Sequence, residues 1–262
     1  MGSQEITLFD LPSKEPCASW SLNPWKIRFL LNYKGLEYKT EWVGIMHHSS
    51  GVAVANDTSQ LNYPEIAPRI RPYLPPNETG RAYSIPTIQF PDGTYVMESR
   101  KIAKAIEQRH PSPPVYLDDP TVQKIERLVF KSIKPLYSLL MYKISQVILT
   151  EKSYDYWVGQ YTREYGMTLD EYERQFGGEK AWAAAQPAMS ELTAILKEKQ
   201  AEGPFFLGKE VSYADFVWLG GLIFVKRTDE SLYQELLDRT GDRAAHERLF
   251  EACAPWMKRD DY

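Results

Sequence analysis

The chain has 262 residues, of which 43% are hydrophobic and 25% charged, and its formal net charge is −4. That length serves two domains with a core each, and the charge balance leaves no electrostatic footprint for nucleic acid. The longest apolar run, 217–225, is broken by Gly220 and Gly221 and is far too short to cross a bilayer. Met1-Gly2-Ser3-Gln4-Glu5 has neither a basic segment nor an apolar core, so no secretory signal is expected. Ile6 stands where a myristoylation motif wants Ser or Thr. Cys17 and Cys253 form no CxxC, which fits a reduced, cytoplasmic setting.

In chain order, 6–9 is a short β-prone run. Pro24 suits the first position of a helix whose apolar stripe is Ile27, Leu30 and Leu31 and whose stop is Gly35. Residues 38–43 read as a second strand. The stretch 44–80 is rich in Ser, Asn, Gly and Pro and reads as a disordered insert or as a lid. Two strands, 87–90 and 94–97, flank Pro91-Asp92-Gly93, a hairpin signal. Ser99 then caps a helix to Arg109, with Ile102 and Ile106 inward. The order β-α-β, then β-β-α, predicts a mixed sheet covered by helices.

His110-Pro111-Ser112-Pro113-Pro114 through Asp119-Pro120 sustains neither regular structure, because proline removes donors and fixes φ. The domain boundary is placed there: one domain over 1–112, a linker over 113–120, and an all-α domain over 121–262. A long helix over 121–150 carries Val122, Ile125, Val129, Ile133 and Leu136 on one face and bends at Pro135. A second spans 179–199, with Pro187 kinking or splitting it. Ser212-Tyr213-Ala214-Asp215 is a capping box that opens an apolar helix over 216–225.

Two segments carry the chemistry. Trp20-Ser21-Leu22-Asn23-Pro24-Trp25-Lys26-Ile27-Arg28 sets a hydroxyl ahead of a helix start. Ser21 there is either a plain N-cap or loop residue, or a donor that stabilises a thiolate with help from the helix dipole. Cys17, four residues upstream, is a rival that could form a mixed disulfide. Ile85-Pro86 is either an ordinary trans pair at a strand start or a cis pair presenting the Ile85 backbone to a peptide ligand as an added strand would be. Glu98 and Ser99 are either a helix cap with an acidic neighbour, or a carboxylate for an ammonium beside a hydroxyl and amide for a carboxylate. Together these suit a small acidic peptide that carries a thiol.

In that order along the chain, these motifs resemble those of the cytosolic glutathione transferases. The resemblance implies a thioredoxin-like N-terminal domain (α/β), an all-α C-terminal domain and glutathione as co-substrate, with no metal and commonly a homodimer. It implies Ser21 as the catalytic residue of a serine-type enzyme, and Ser21, Ile85, Pro86, Glu98 and Ser99 as the glutathione site. Asp215 becomes a folding residue. The stretch from Trp20 through Asn32-Tyr33-Lys34-Gly35, with Thr40-Glu41-Trp42-Val43 and Tyr63-Pro64-Glu65-Ile66, is similar to fungal enzymes related to bacterial lignin β-etherases. This implies detoxification of wood-derived aromatic electrophiles, with peroxidase or etherase chemistry within range. The chain departs from that pattern by extra residues between Val43 and Tyr63. His47 and His48 there read as loop residues or as a grip on the glycyl carboxylate, and no histidine spacing favours a metal. The acceptor pocket is expected between the domains, against Trp20 and Asn23, with Tyr137, Met141, Tyr142 and Trp157 as further candidates; an aromatic wall favours flat phenolic ligands. The competing function is a ligandin that binds aromatic compounds with little turnover.

Overall fold

The structure is a computed structural model and describes residues 5–43 and 65–260. Of the insert expected over 44–80, residues 44–64, with His47 and His48, lie outside the described residues.

Strand β1 (Ile6–Asp10) is the centre of the first unit. It pairs in parallel with β2 (Tyr38–Trp42) across helix α1 (Leu22–Tyr33), and antiparallel with β3 (Thr87–Gln89), which pairs antiparallel with β4 (Tyr95–Met97). The order is β2-β1-β3-β4, the mixed sheet that the sequence predicts. β1 is buried along its whole length, as a strand covered on both faces must be. Within the stretch expected to be irregular, the short helix α2 (Ile66–Ile70) buries Ile66, Ala67 and Ile70, so its described end is packed chain rather than a disordered insert. Helix α3 (Ser99–Arg109) follows β4 at once and buries Ile102, Ala103 and Ile106.

Two helix starts differ from the sequence reading. α1 begins at Leu22, so Pro24 is its third residue rather than its first. The first-turn N–H groups have no partner inside a helix, and a proline there loses nothing. In α3 the cap position belongs to Glu98, at φ 72°, and Ser99 is already helical. The chain leaves β4 without a linker, and Glu98 takes the whole turn.

Beyond 110–119 the described chain is helical. The expected helix over 121–150 is two: α4 (Pro120–Ile133) and α5 (Tyr137–Val147). Pro135 breaks rather than bends it, and the corner closes with i→i+3 bonds from Leu136 N to Ile133 O and Tyr137 N to Lys134 O. Helices α6 (Glu151–Tyr165) and α7 (Leu169–Phe176) follow. Helix α8 (Glu179–Glu198) runs unbroken through Pro187, held by the buried Trp182, Ala185, Met189 and Leu192. Helix α9 (Tyr213–Thr228), longer at both ends than expected, is buried almost throughout and is the hub of the helical unit. Helices α10 (Glu230–Arg239) and α11 (Arg243–Cys253) close it. α9 also packs along α1, and at Gly220 the two backbones touch: a Cβ there would lie 2.8 Å from the carbonyl oxygen of Leu22. The start of α1 is therefore fixed against the helical unit.

Candidate functional site

The loop ahead of α1 is held by buried bonds on both sides. Trp20 Nε1 donates to Pro12 O at 3.2 Å, and Trp25 Nε1 donates to Ser19 O at 3.0 Å. Ser19 N donates to Asp260 O at 2.7 Å, so the segment at 256–260 straps this loop. The strap is fastened by Arg28, fully buried, whose Nη1 donates to Arg259 O at 2.8 Å while its Nε meets the Asp10 carboxylate at 2.8 Å. Such a buried pair holds its place because either partner left alone would be a charge without compensation.

Ser21 ends this loop at the N-cap position of α1, at φ −81° and ψ 139°, and its hydroxyl makes no cap bond. The plain N-cap reading is thereby set aside: the side chain is at the cap position without capping. The first turn of α1 also holds no acidic residue, so that turn itself does not neutralise the positive end of the helix.

The Ile85–Pro86 peptide is cis. Ile85 makes no backbone hydrogen bond to another described residue, and it borders the same cavity as Ser21. Its neighbour Ser84 donates from its amide to Met97 Sδ at 3.1 Å, which ties this turn to the end of β4. The pairing Thr87↔Met97 leads directly to Pro86 and Glu98, so the turn and the start of α3 are neighbours. Glu98 is ion-paired with Lys101 at 3.0 Å on the surface, and Ser99 O accepts from Tyr213 Oη at 3.3 Å. Pro86, Glu98 and Ser99 do not line the cavity, although Pro86 follows Ile85 and the Thr87↔Met97 pairing sets the start of α3 beside that turn.

The cavity has a volume of about 430 Å³ and lies between the sheet unit and the helices. Trp20, Ser21 and Asn23 border it from one side, Tyr137 and Met141 from the other. Trp157 is there too, donating from Nε1 to Met141 O at 3.4 Å and meeting Trp20 edge-on with ring centroids 6.0 Å apart. Tyr142 is not: it is 39% exposed and faces away. Cys17 is absent from the lining as well, and burial pushes its thiol above the usual range.

Most of one wall escapes the sequence reading, which names Trp157 alone of it. Trp157, Gln160, Tyr161, Glu164 and Tyr165 follow the i, i+3, i+4, i+7, i+8 spacing of one helix face, and all border the cavity. The signal is present in the sequence, but its mixed polar and aromatic character does not mark it as a face that something covers. The stretch at 81–84 supplies Arg81, whose Nη2 donates to Tyr161 Oη at 3.1 Å and which pairs with Glu164 at 3.6 Å. Tyr137 is pushed up to about 12 by burial, and burial also raises Tyr161. Both phenols keep their protons across the neutral range and remain hydrogen-bond donors.

Among the described residues there is no group of three or more His, Cys, Asp or Glu that could hold a metal ion. His246 is a core residue. Trp218 Nε1 donates to its Nδ1 at 2.9 Å, so the proton sits on Nε2 and points to Thr193 Oγ1 at 2.9 Å. Among the described residues no helix is long and apolar enough to cross a membrane.

Comparison with known proteins bears on this arrangement directly. Residues 20–109 match the model of the glutathione S-transferase N-terminal domain, and 123–256 that of the C-terminal domain. The chain is 28% identical to the glutathione S-transferase-like protein ustS of Aspergillus flavus, over 97% of this chain and 91% of that protein. Glutathione transferase GSTFuA3 of Phanerochaete chrysosporium superposes with a TM-score of 0.80 at 22% identity, covering 99% of this chain and 100% of the other. The glutathione S-transferase CsGST83044 of Ceriporiopsis subvermispora, solved in complex with glutathione, gives 0.74 at 25% identity, covering 97% and 99%. With both domain models matched along its length, and a mixed four-stranded sheet backed by a helical unit, this chain belongs to the glutathione S-transferase family.

Proposed function

We propose that this chain is a serine-type glutathione transferase in which Ser21 holds the thiolate of glutathione for attack on hydrophobic aromatic electrophiles. The single observation that carries the reading is the Ser21 hydroxyl itself, uncapped at the N-terminal end of α1 and bordering the cavity beside Ile85. The thiol proton leaves to solvent. The sulfur is then stabilised by the Ser21 O–H and by the positive end of the helix. A new S–C bond forms at the acceptor as its leaving group departs; no covalent bond to Ser21 is made.

The other assignments follow the chemistry of each group. The Ile85 backbone pairs with the extended peptide across the Ile85–Pro86 turn. At the start of α3, Glu98 exchanges Lys101 for the γ-glutamyl ammonium, while Ser99 and its amide take the α-carboxylate. The division into a glutathione-binding unit over 1–112, a linker over 113–120 and an all-α unit from 121 onward belongs to this proposal. So do a homodimer, a cytoplasmic location, and a role with wood-derived aromatics that extends to peroxidase or β-etherase-like turnover. The number of aromatic rings around the cavity favours one alternative, a ligandin for phenolic compounds with little turnover.

The test is conjugation of glutathione to chlorodinitrobenzene, with Ser21→Ala alongside and glutathione binding measured separately. A hydrogen bond to a charged group contributes about 1.5–3 kcal/mol. Ser21→Ala should therefore raise the thiol pKa in the complex by about one to two units and lower kcat/KM by about 10–100-fold, with glutathione still bound. Activity kept in the variant would move the role to Asn23 or Cys17. Binding without turnover in the wild type would leave the ligandin as the better description.

A further inference from the structure

Gln160 is a buried polar side chain on the cavity wall that the arrangement above leaves unused. Only 3% of it is exposed, it borders the cavity, and its amide has no hydrogen-bond partner among the described residues. An amide so placed costs free energy unless something in the cavity meets it. Tyr137 borders the same cavity from α5, and its phenol likewise has no hydrogen-bond partner among the described residues. Elsewhere on the wall Trp157 is bonded to Met141 O, and Arg81 to Tyr161 and Glu164.

We infer that Gln160, with Tyr137 beside it, is a specificity residue that selects aromatic acceptors carrying a ring hydroxyl. The chemistry of the amide decides the class. Gln160 offers a carbonyl oxygen that must receive a proton and an NH₂ that must give one. A ring hydroxyl satisfies both, donating to Oε1 and accepting from Nε2 or from the Tyr137 phenol. A ring carbonyl would leave Oε1 unpaired. A carboxylate would face Oε1 with like partial charge, while the guanidinium of Arg81 is held by Glu164. The aromatic rings on either side stack on the ligand's flat face. The inference rests on the transferase reading only for the reaction used to detect it.

The experiment compares phenethyl isothiocyanate with its 4-hydroxyphenethyl analogue, whose hydroxyl is remote from the reacting carbon and leaves its reactivity unchanged. In the wild type kcat/KM should favour the hydroxylated acceptor by about tenfold or more, since leaving a buried hydrogen-bonding group unpaired is costly. In Gln160→Leu, close in volume and unable to hydrogen-bond, the ratio should fall towards one; Tyr137→Phe should lower it by less. Thermal midpoints check that both variants fold. A wild-type ratio near one, or a ratio that Gln160→Leu leaves intact, overturns the inference. If the wild type turns over neither isothiocyanate, the transferase reading is what has failed. Calorimetric binding of 4-ethylphenol against ethylbenzene then reads the same preference, and equal affinities overturn it.

Discussion

Helices α1 and α9 lie against one another, and each starts from a serine in extended conformation, yet the two starts are built in opposite ways. Ser212 is fully buried. Its amide and hydroxyl both donate to Asp215 Oδ2, at 2.7 and 2.9 Å, and Phe206 N donates to Oδ1 at 2.9 Å. A carboxylate from its own first turn thus closes the positive end of α9. Ser21 opens α1 with no cap bond and no acid in the first turn. One terminus is satisfied from within and serves the fold; the other has neither a cap bond nor a first-turn acid, and the proposed function assigns it an anion from outside. The buried polar side chains repeat the contrast. His246 has both ring nitrogens engaged, whereas Gln160 has neither end of its amide paired among the described residues.

The comparison breaks most visibly at Asp215. In Asp215→Ala two buried amides and a hydroxyl lose their acceptor, each at about 1–3 kcal/mol. Burial pushes the Asp215 carboxyl up to about 6, so the variant also escapes the cost of holding a buried charge at neutral pH. The net loss should be about 4 kcal/mol, a fall in thermal midpoint of about 8–16 °C. A midpoint within about 2 °C of the wild type would mean that α9 does not depend on its own cap.

His246 supplies the next effect and gives it a pH signature. Burial lowers its pKa to about 4, below the ordinary value near 6.5. With the folded-state value depressed, the neutral ring's contribution is fully present above about pH 6.5 and is lost as pH falls towards 4. Asp215 has the opposite sign: its raised value favours the folded state below about pH 3.8, a benefit lost as pH rises through 6. The two therefore offset each other between pH 4 and 6.5, and the wild-type curve alone hides both. The stability gap between wild type and His246→Gln should narrow by about 3 kcal/mol from pH 7 to pH 4, read from denaturant titrations. A gap independent of pH would show that the ring does not titrate in the core.

What could be read from the sequence was what is local. The Pro91-Asp92-Gly93 turn, the Ser212–Asp215 box and the stop at Gly35 each depend on a few adjacent residues, and the chain builds them as expected. That Ser21 precedes a helix and that Ile85–Pro86 precedes a strand was legible because those motifs are contiguous. Pro135 shows the limit of local reading: a proline's cost is plain, but whether the helix bends or ends depends on what packs beyond it. Helix α6 shows another. Its stripe of Gln160, Tyr161 and Glu164 among Trp157 and Tyr165 resembles an ordinary solvated face until the sheet unit is folded against it. Arg81 comes from irregular chain, where no periodicity points to a partner 80 residues away.

The smallest expected effect is the sharpest test of the contrast between the two helix starts. Ser212→Ala removes a buried cap and should cost about 1–2 kcal/mol. Ser21→Ala removes a hydroxyl that bonds to no described residue and should change stability by less than about 0.5 kcal/mol. The two measurements belong together with the conjugation assay, because activity can fall for two reasons. If Ser21→Ala keeps its thermal midpoint and loses turnover, the hydroxyl acts on the bound thiol and not on the loop. If it loses stability as Ser212→Ala does, Ser21 is a cap after all, and its loss of activity reports a displaced α1. The asymmetry between the two helices would then reside in the missing first-turn acid of α1 alone, and the dipole, not the serine, would be what receives the thiolate.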